Sequence, residues 1–314
     1  MTEPLVVALP QDPGLREAIG DPRNVRFVDW DLTGPAPETH IDLVVASNFG
    51  YHEGLARLAE VNPRLVQWQW IGYDDVPQYL PEGIPLANAS GVHDGPTAEL
   101  AVALTLAAQR GLPRYIRAAD RHAWETEFFP SLCAKRVLIV GYGGVGKAIE
   151  ARLAGFEAEI TRMARSARTE RNLAGTEVEV LGFADLHAQL AVSDVVILVV
   201  PLTAQTQHLI DAAALAALPD NSLLVNIARG GVVDTDALVA ELSGARIRAA
   251  LDVTDPEPLP ADHPLWSAPN VLITPHAGAD SDALLPRMAA LIRRQIAALQ
   301  AGETPENVVL GPGA

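Results

Sequence analysis

Apolar positions along this chain follow two rhythms. Up to about residue 95, short apolar runs alternate with stretches whose apolar residues recur at helical spacing. The runs predict strands over 5–9, 25–28, 43–47, 65–68 and 85–87, with helices over 13–19 and 52–61 between them. Gly34-Pro35-Ala36-Pro37 and Pro81-Glu82-Gly83 punctuate the joins. This is the pattern of a small α/β domain with a parallel sheet. Gly95-Pro96-Thr97 then places a proline in the first turn of a helix. Residues 98–110 are rich in Ala and Leu and meet no breaker before Gly111, so they predict a long helix linking two domains.

From Lys135 the apolar runs become continuous and aliphatic, over 137–140, 159–163, 178–180, 195–200, 223–227, 248–251 and 271–274. Strands buried on both faces read this way, which implies a parallel sheet covered by helices. Seven such strands with helices between them fit a doubly wound fold. Residues 282–301 are amphipathic at helical period and are expected to cross back to the first domain. The expected division is residues 1–95 with 280–314 around a central 96–279.

The first chemical signal is Gly141-Tyr142-Gly143-Gly144-Val145-Gly146, directly after the run 136–140 and opening a helix over 147–153. Gly141 permits a tight turn, Gly143 lets backbone approach a pyrophosphate, and Gly146 lets helix and strand pack closely. The phosphate then meets unpaired N–H groups and the positive end of the helix dipole. An acidic residue ending the second strand would bind the 2′-hydroxyl of NAD. Here that place holds Ala164, followed by Arg165, Ser166 and Arg168. Guanidinium and hydroxyl groups suit a 2′-phosphate, so NADP is expected, with NAD the alternative.

Three further residues follow predicted strands. Arg229 stands in Asn226-Ile227-Ala228-Arg229-Gly230-Gly231, where two glycines keep its surroundings uncrowded. Glu257 stands in Asp252-Val253-Thr254-Asp255-Pro256-Glu257-Pro258, and His276 in Thr274-Pro275-His276-Ala277-Gly278. Ligands of open α/β sheets bind outside the carboxyl ends of strands. Each residue alone has a bland reading: Arg229 paired with Asp234 or Asp236, Glu257 a loop carboxylate, His276 a structural histidine. Together they read differently. A guanidinium can grip a carboxylate and polarise a neighbouring ketone. A carboxylate beside an imidazole favours the imidazolium, a general acid for ketone reduction and a base for the reverse. No metal is needed.

Composition narrows the classes. The chain has 314 residues, 49% of them hydrophobic, and a formal net charge of −16. That charge argues against nucleic-acid and anionic-membrane partners. The single cysteine, Cys133, excludes a disulfide framework and is expected to be a packed thiol. The first residues show no signal peptide and no run approaches a membrane span, so the cytoplasm is the expectation.

These residues, in this order, resemble the D-isomer-specific 2-hydroxyacid dehydrogenases. The resemblance implies two Rossmann- or flavodoxin-like domains with doubly wound parallel sheets, the nucleotide domain being inserted into the substrate domain. It implies an NAD(P)-dependent oxidoreductase that interconverts a small 2-oxo acid and its D-2-hydroxy acid. Arg229, Glu257 and His276 match the family's catalytic set. Gly141, Tyr142, Gly143, Gly144, Val145, Pro201, Ala228, Arg229, Asp252, His276 and Gly278 match positions bordering the cofactor. Val200-Pro201-Leu202-Thr203 with Thr206 resembles the stretch after the fourth strand, and Asp252 the carboxylate that meets the nicotinamide amide. In the first domain, Ile71-Gly72-Tyr73-Asp74 resembles the loop whose amides cradle the substrate carboxylate, with Arg229 and His276 completing the substrate contacts. Arg165, Ser166 and Arg168 resemble the NADP-preferring glyoxylate/hydroxypyruvate reductases. Members usually form homodimers through the nucleotide domain, although residues 110–130, often part of the dimer arm, are compact here.

A dinucleotide-sensing regulator on the same fold, as in related corepressors, is the alternative from another class. An adenosyl-homocysteine-type enzyme would need a Lys or a further His at the strand ends, and none stands there. Asn48, Phe49, Tyr51, Trp70, Tyr73 and Trp266 are candidates for shaping a substrate pocket. The first domain carries no basic cluster for a phosphorylated substrate.

Overall fold

The computed structural model describes residues 3–46 and 52–314. The chain divides into two compact units, Met1–His93 with Ser281–Ala314, and Asp94–Asp280.

The first unit begins with β1 (Leu5–Leu9), α1 (Pro13–Ile19), β2 (Val25–Asp29), β3 (Leu43–Ala46), β4 (Leu65–Trp68) and β5 (Leu86–Ala87). Asp12 caps α1 by accepting from the Leu15 amide at 3.1 Å, with Pro13 at the first helical position. Residues 52–61 form a 3₁₀ helix over His52–Glu60 rather than an α-helix, with Gly54 lowering helical propensity in its first turn.

The second unit comprises α2 (Asp94–Gln109), α3 (Leu112–Asp120), β6 (Arg136–Val140), α4 (Gly144–Leu153), β7 (Glu159–Met163), β8 (Arg168–Arg171), β9 (Glu177–Val180), α5 (Leu186–Leu190), β10 (Val195–Leu198), α6 (Ala212–Ala217), β11 (Leu223–Asn226), α7 (Thr235–Ser243), β12 (Arg248–Leu251) and β13 (Val271–Ile273). Asp211 and Asp234 cap α6 and α7. The chain then returns to the first unit with α8 (Leu284–Ala301), closed by Gly302 at φ 69°, and β14 (Val308–Leu310).

The first sheet runs β14-β5-β4-β3-β1-β2. Its strands are parallel except β14, which pairs antiparallel with β5 at the edge. One face of α8 (Met288, Leu291, Ile292, Gln295, Ile296 and Leu299) is buried in this unit's core, at the spacing expected of an amphipathic helix. Gln295 satisfies its buried amide by donating to Gln67 (2.8 Å) and accepting from the Glu306 amide (2.9 Å).

The second sheet runs β13-β12-β11-β10-β6-β7, all parallel. Strand order reverses beside β6, which makes its carboxyl end the switch point. This sheet has six strands, not the seven the apolar runs predict. Residues 178–180 belong instead to the antiparallel pair β8–β9, a separate two-stranded sheet. Only Leu181 reaches the main sheet, through a parallel bridge to Met163. The reason is polarity: Arg168, Thr169, Arg171, Glu177 and Glu179 are exposed and could not be covered on both faces.

A buried polar cluster joins the glycine turn to β7 and this hairpin. The Tyr142 hydroxyl donates to Glu150, which also accepts from Arg162 and from the Asn172 amide. Burial raises the Glu150 carboxyl, but hydrogen bonds from Arg162, Tyr142 and Asn172 outweigh it and hold it below its ordinary pKa. Burial, followed by the Glu150 contact, pushes the Tyr142 hydroxyl upward. Replacing Arg162 with Ala leaves a buried carboxylate without its cation, and should cost about 3–5 kcal/mol in urea unfolding at neutral pH. A group with a depressed folded pKa contributes its stability above the ordinary carboxylate value and loses it as pH falls through the folded one. The gap between wild type and variant should therefore narrow in acid.

Candidate active site

Gly141 leaves β6 at φ 109°, and a Cβ there would lie 2.6 Å from the Val199 carbonyl carbon. A Cβ on Gly146 would overlap the Gly141 carbonyl oxygen, so helix and turn touch main chain to main chain. Gly143 differs: nothing lies within 4 Å of its open side. It is also the N-cap of α4, where a glycine has no side chain of its own to cap the helix. A helix start beside an open glycine face suits a pyrophosphate, and the glycines of this turn fit a dinucleotide. Gly144 begins α4, and Val145 is half-buried against the core. Tyr142 contributes its backbone to the turn while its ring is buried.

Arg165 and Ser166 are exposed just beyond β7. Arg168 lies on β8 and is already engaged. Its guanidinium donates to the Tyr142 carbonyl (3.0 Å), to Glu170 (2.8 Å) and, more weakly, to the Ser166 carbonyl (3.4 Å). Lys147, in the first turn of α4, pairs with the other Glu170 oxygen at 3.3 Å. Glu170 and Lys147 are absent from the sequence reading. The alternating charges of Arg168-Thr169-Glu170-Arg171 before the turn formers Asn172 and Gly175 were the available signal.

At the end of β11, Asn226 holds the arginine turn from both sides. Its oxygen accepts from the Ala228 amide (3.1 Å) and its amide donates to the Arg229 carbonyl (3.0 Å). Arg229 donates to the Ala228 carbonyl at 2.7 Å. Gly230 is not simply uncrowding: any Cβ there would overlap the Thr254 carbonyl, so the arginine turn rests directly on the segment leading to Glu257. Asp234, a possible partner for Arg229 on the bland reading, caps α7 instead.

Asp252 ends β12 with its carboxylate buried, and the His276 loop supplies its donors. Thr274 donates to it at 2.6 Å, the Ala277 amide at 2.9 Å and the Gly278 amide at 3.0 Å. The His276 amide reaches the Asp252 carbonyl at 2.7 Å. His276 itself sits at φ 55°, the left-handed region that costs a non-glycine residue about 1–3 kcal/mol and persists where surrounding structure imposes it. This backbone brings its Nδ1 to 2.6 Å from Glu257. Burial raises the Glu257 carboxyl, but the His276 hydrogen bond and charge, the Thr254 amide and the Arg229 charge outweigh it and lower its pKa. The structure thus joins Glu257 to His276 and brings Arg229 within electrostatic reach of the pair.

In the first unit, the loop after β4 is tied down by its acceptors. The carbonyls of Gln69, Trp70, Ile71, Gly72 and Tyr73 receive, in turn, the His93 ring nitrogen, the Ala89 amide, the Asn88 side chain, the Trp68 indole and the Val76 amide, at 2.7–3.1 Å. Among the described residues the amides of Ile71, Gly72 and Tyr73 have no acceptor. Trp70 stacks on the His93 ring, with centroids 5.2 Å apart. Asn48, Phe49 and Tyr51, together with Ser47 of the predicted 43–47 strand, lie outside the described residues.

In the second unit, the Pro201 carbonyl accepts from the buried Thr206 hydroxyl at 2.6 Å, which closes the turn after β10. Trp266 is exposed and donates to the Pro260 carbonyl at 2.8 Å. Cys133 is not packed, as the sequence suggested: its thiol is exposed and donates to Glu157 at 2.9 Å, a bond that raises its pKa. Among the described residues no cluster of His, Cys, Asp or Glu could hold a metal ion, and no helix is long and apolar enough to cross a membrane.

Residues 102–278 match the family model of the D-isomer specific 2-hydroxyacid dehydrogenase NAD binding domain. A glyoxylate reductase of Thermofilum pendens is 35% identical over 260 residues, covering 80% of this chain and 76% of its own. A D-isomer specific 2-hydroxyacid dehydrogenase from Xanthobacter autotrophicus, solved with NADPH and MES, superposes with a TM-score of 0.81 at 27% identity over 98% of each chain. An NADPH-dependent glyoxylate/hydroxypyruvate reductase from Sinorhizobium meliloti, solved with NADP and sulfate, does so with a TM-score of 0.81 at 25% identity, again over 98% of each chain.

Two glycines of the turn should separate folding from binding. Gly143→Ala has room and should melt within about 1–2 °C of wild type while weakening dinucleotide binding, because the added methyl occupies the open face. Gly146→Ala has no room and should lower the melting temperature clearly. Scanning calorimetry with and without cofactor distinguishes the two.

Proposed function

The chain belongs to the D-isomer specific 2-hydroxyacid dehydrogenases, a family of NAD(P)-dependent oxidoreductases, and from that premise we propose that it reduces a small 2-oxo acid of the glyoxylate or hydroxypyruvate kind with NADPH. The observation that carries this reading is the 2.6 Å contact between His276 and Glu257 beyond adjacent strands, with Arg229 in reach. The similarity to enzymes called glyoxylate reductases and to an NADPH-dependent reductase supports the substrate and cofactor.

A nicotinamide dinucleotide, when bound at the glycine turn, would supply the hydride that reduces the carbonyl carbon. His276 then donates its proton to the oxygen as the carbonyl becomes an alkoxide, giving a hydroxyl. Glu257 steadies the positive ring before the transfer and orients it through Nδ1, which leaves the other ring nitrogen for the substrate. Arg229 directs its charge at the carboxylate and carbonyl oxygens and polarises the ketone. In the oxidative direction His276 takes the proton back. Asp252 holds the loop that carries His276 and would meet the nicotinamide amide. Gly141 to Val145 supply the pyrophosphate cradle, Arg165, Ser166 and Arg168 the 2′-phosphate contacts, and Pro201, Ala228 and Gly278 backbone bordering the cofactor. Within the first unit, the amides of Ile71, Gly72 and Tyr73 are donors suited to a carboxylate. On this reading residues 1–95 with 280–314 form the substrate domain and 96–279 the dinucleotide domain.

We place the protein in the cytoplasm, where a free thiol such as that of Cys133 stays reduced. We also propose a homodimer through the segment following α2. There Trp124 and Phe128 are 97% and 104% exposed, beside the exposed Leu112 and Ile116 of α3, a cluster of apolar surface on one short segment.

His276→Ala should lower turnover about 10²–10⁴-fold while cofactor still binds. The measurement is NADPH oxidation across a panel of 2-oxo acids, with binding followed separately. Cofactor binding by wild type without turnover of any 2-oxo acid would instead favour a dinucleotide-sensing regulator. Replacing Trp124 and Phe128 together with Ser should halve the mass seen by light scattering; a wild-type monomer would remove the dimer proposal.

A further inference from the structure

The cations beside the glycine turn are not simply waiting for a phosphate. Arg168 and Glu170 are two residues apart on β8, so their side chains share one face of the strand. The Glu170 carboxylate lies 2.8 Å from Arg168 through one oxygen and 3.3 Å from Lys147 through the other. Its side chain is only 22% exposed. Burial raises the carboxyl, but hydrogen bonds and charge from Arg168 and Lys147 outweigh it and hold it ionised at neutral pH. The same Arg168 nitrogen that meets Glu170 also donates to the Tyr142 carbonyl, inside the glycine turn. One fixed anion therefore sits among the cations that border the expected 2′-phosphate position.

We infer that Glu170 sets the strength of the NADP preference, acting as an internal anion that competes with the 2′-phosphate for Arg168 and Lys147. The inference rests on the reading that Arg165, Ser166 and Arg168 receive that phosphate. A dianion entering beside Arg165 meets an arginine and a lysine whose charge is already partly balanced, and a carboxylate that repels it. Partial burial keeps this repulsion from being fully screened by salt. A ligand without the 2′-phosphate carries no charge at that position and should be nearly indifferent to Glu170. Glu170 thus acts as a specificity-determining residue that lowers discrimination, in opposition to Arg165.

The test uses the full-length protein and isothermal titration with 2′,5′-ADP and with 5′-ADP, which separates recognition from turnover. Wild type should bind 2′,5′-ADP more tightly, and Arg165→Ala should lose most of that difference. Glu170→Gln, which keeps a hydrogen-bonding side chain, should tighten 2′,5′-ADP by about 3–10-fold while moving 5′-ADP less than about 2-fold. Glu170→Asp, which keeps the charge, should stay close to wild type. Thermal melts of each variant check that the hairpin remains folded. If wild type discriminates but Glu170→Gln leaves the ratio unchanged, weakens both ligands, or selectively weakens 2′,5′-ADP, this inference is overturned while the cofactor reading stands. If wild type binds the two ligands equally, or Arg165→Ala weakens both alike, the cofactor reading and the inference fall together.

Discussion

The buried carboxylate of Asp252 is the constraint around which the second unit's polar residues are arranged. A buried carboxylate must be satisfied, and here the loop from Thr274 to Gly278 satisfies it with one hydroxyl and two amides. That loop can make those bonds only by curling over the end of β12, and the curl places His276 in left-handed backbone. From there the imidazole meets Glu257, which arrives by a different route, along the segment after the same strand. The contact between His276 and Glu257 is thus a product of main-chain geometry that one buried charge holds in place. Arg229 joins it from the neighbouring strand, its own turn fixed by Asn226.

Much of this architecture is legible in the amino-acid sequence, and the reason is physical. Parallel strands covered on both faces need continuous aliphatic runs, so 136–140, 195–198, 223–226 and 248–251 announce themselves. The glycine turn is legible because backbone approaching backbone leaves no room for a side chain at Gly146. The hairpin is the place where the reading fails. Residues 178–180 look like a strand of the main sheet from their valines, but the exposed charges of Arg168, Arg171, Glu177 and Glu179 prevent cover on both faces, and the segment pairs with 168–171 instead. A three-residue window could not reveal its partner at 168–170, which carries no apolar signature.

The candidate site was legible as residue types at strand ends, and much less so as contacts. Nothing in the order of residues says that Asp252 collects three donors, that Asn226 clamps the arginine turn, or that Arg168 is shared between Glu170 and the Tyr142 carbonyl. Cys133 shows the same limit: a lone cysteine before a strand suggests packing, yet its thiol faces solvent and a glutamate. In the loop after β4, the resemblance of Ile71-Gly72-Tyr73-Asp74 to a family loop implied amides for an anion. What the order of residues does not reveal is that five successive carbonyls there are bound elsewhere in the unit, a pattern spread over residues 68–93.

The contact of Gly230 with the Thr254 carbonyl has a consequence for how the second unit responds to change. With no side chain between them, the turn bearing the guanidinium and the segment bearing the glutamate behave as one rigid piece. A displacement of either drags the other, so the charges of Arg229 and Glu257 keep their spacing even when surrounding packing drifts. Mutational tolerance should accordingly be uneven: wide among the aliphatic residues that merely fill the sheet's covering layers, and narrow along this line of touching peptide groups. A scaffold built in that way can exchange much of its interior over evolutionary time while its charged pair stays in register.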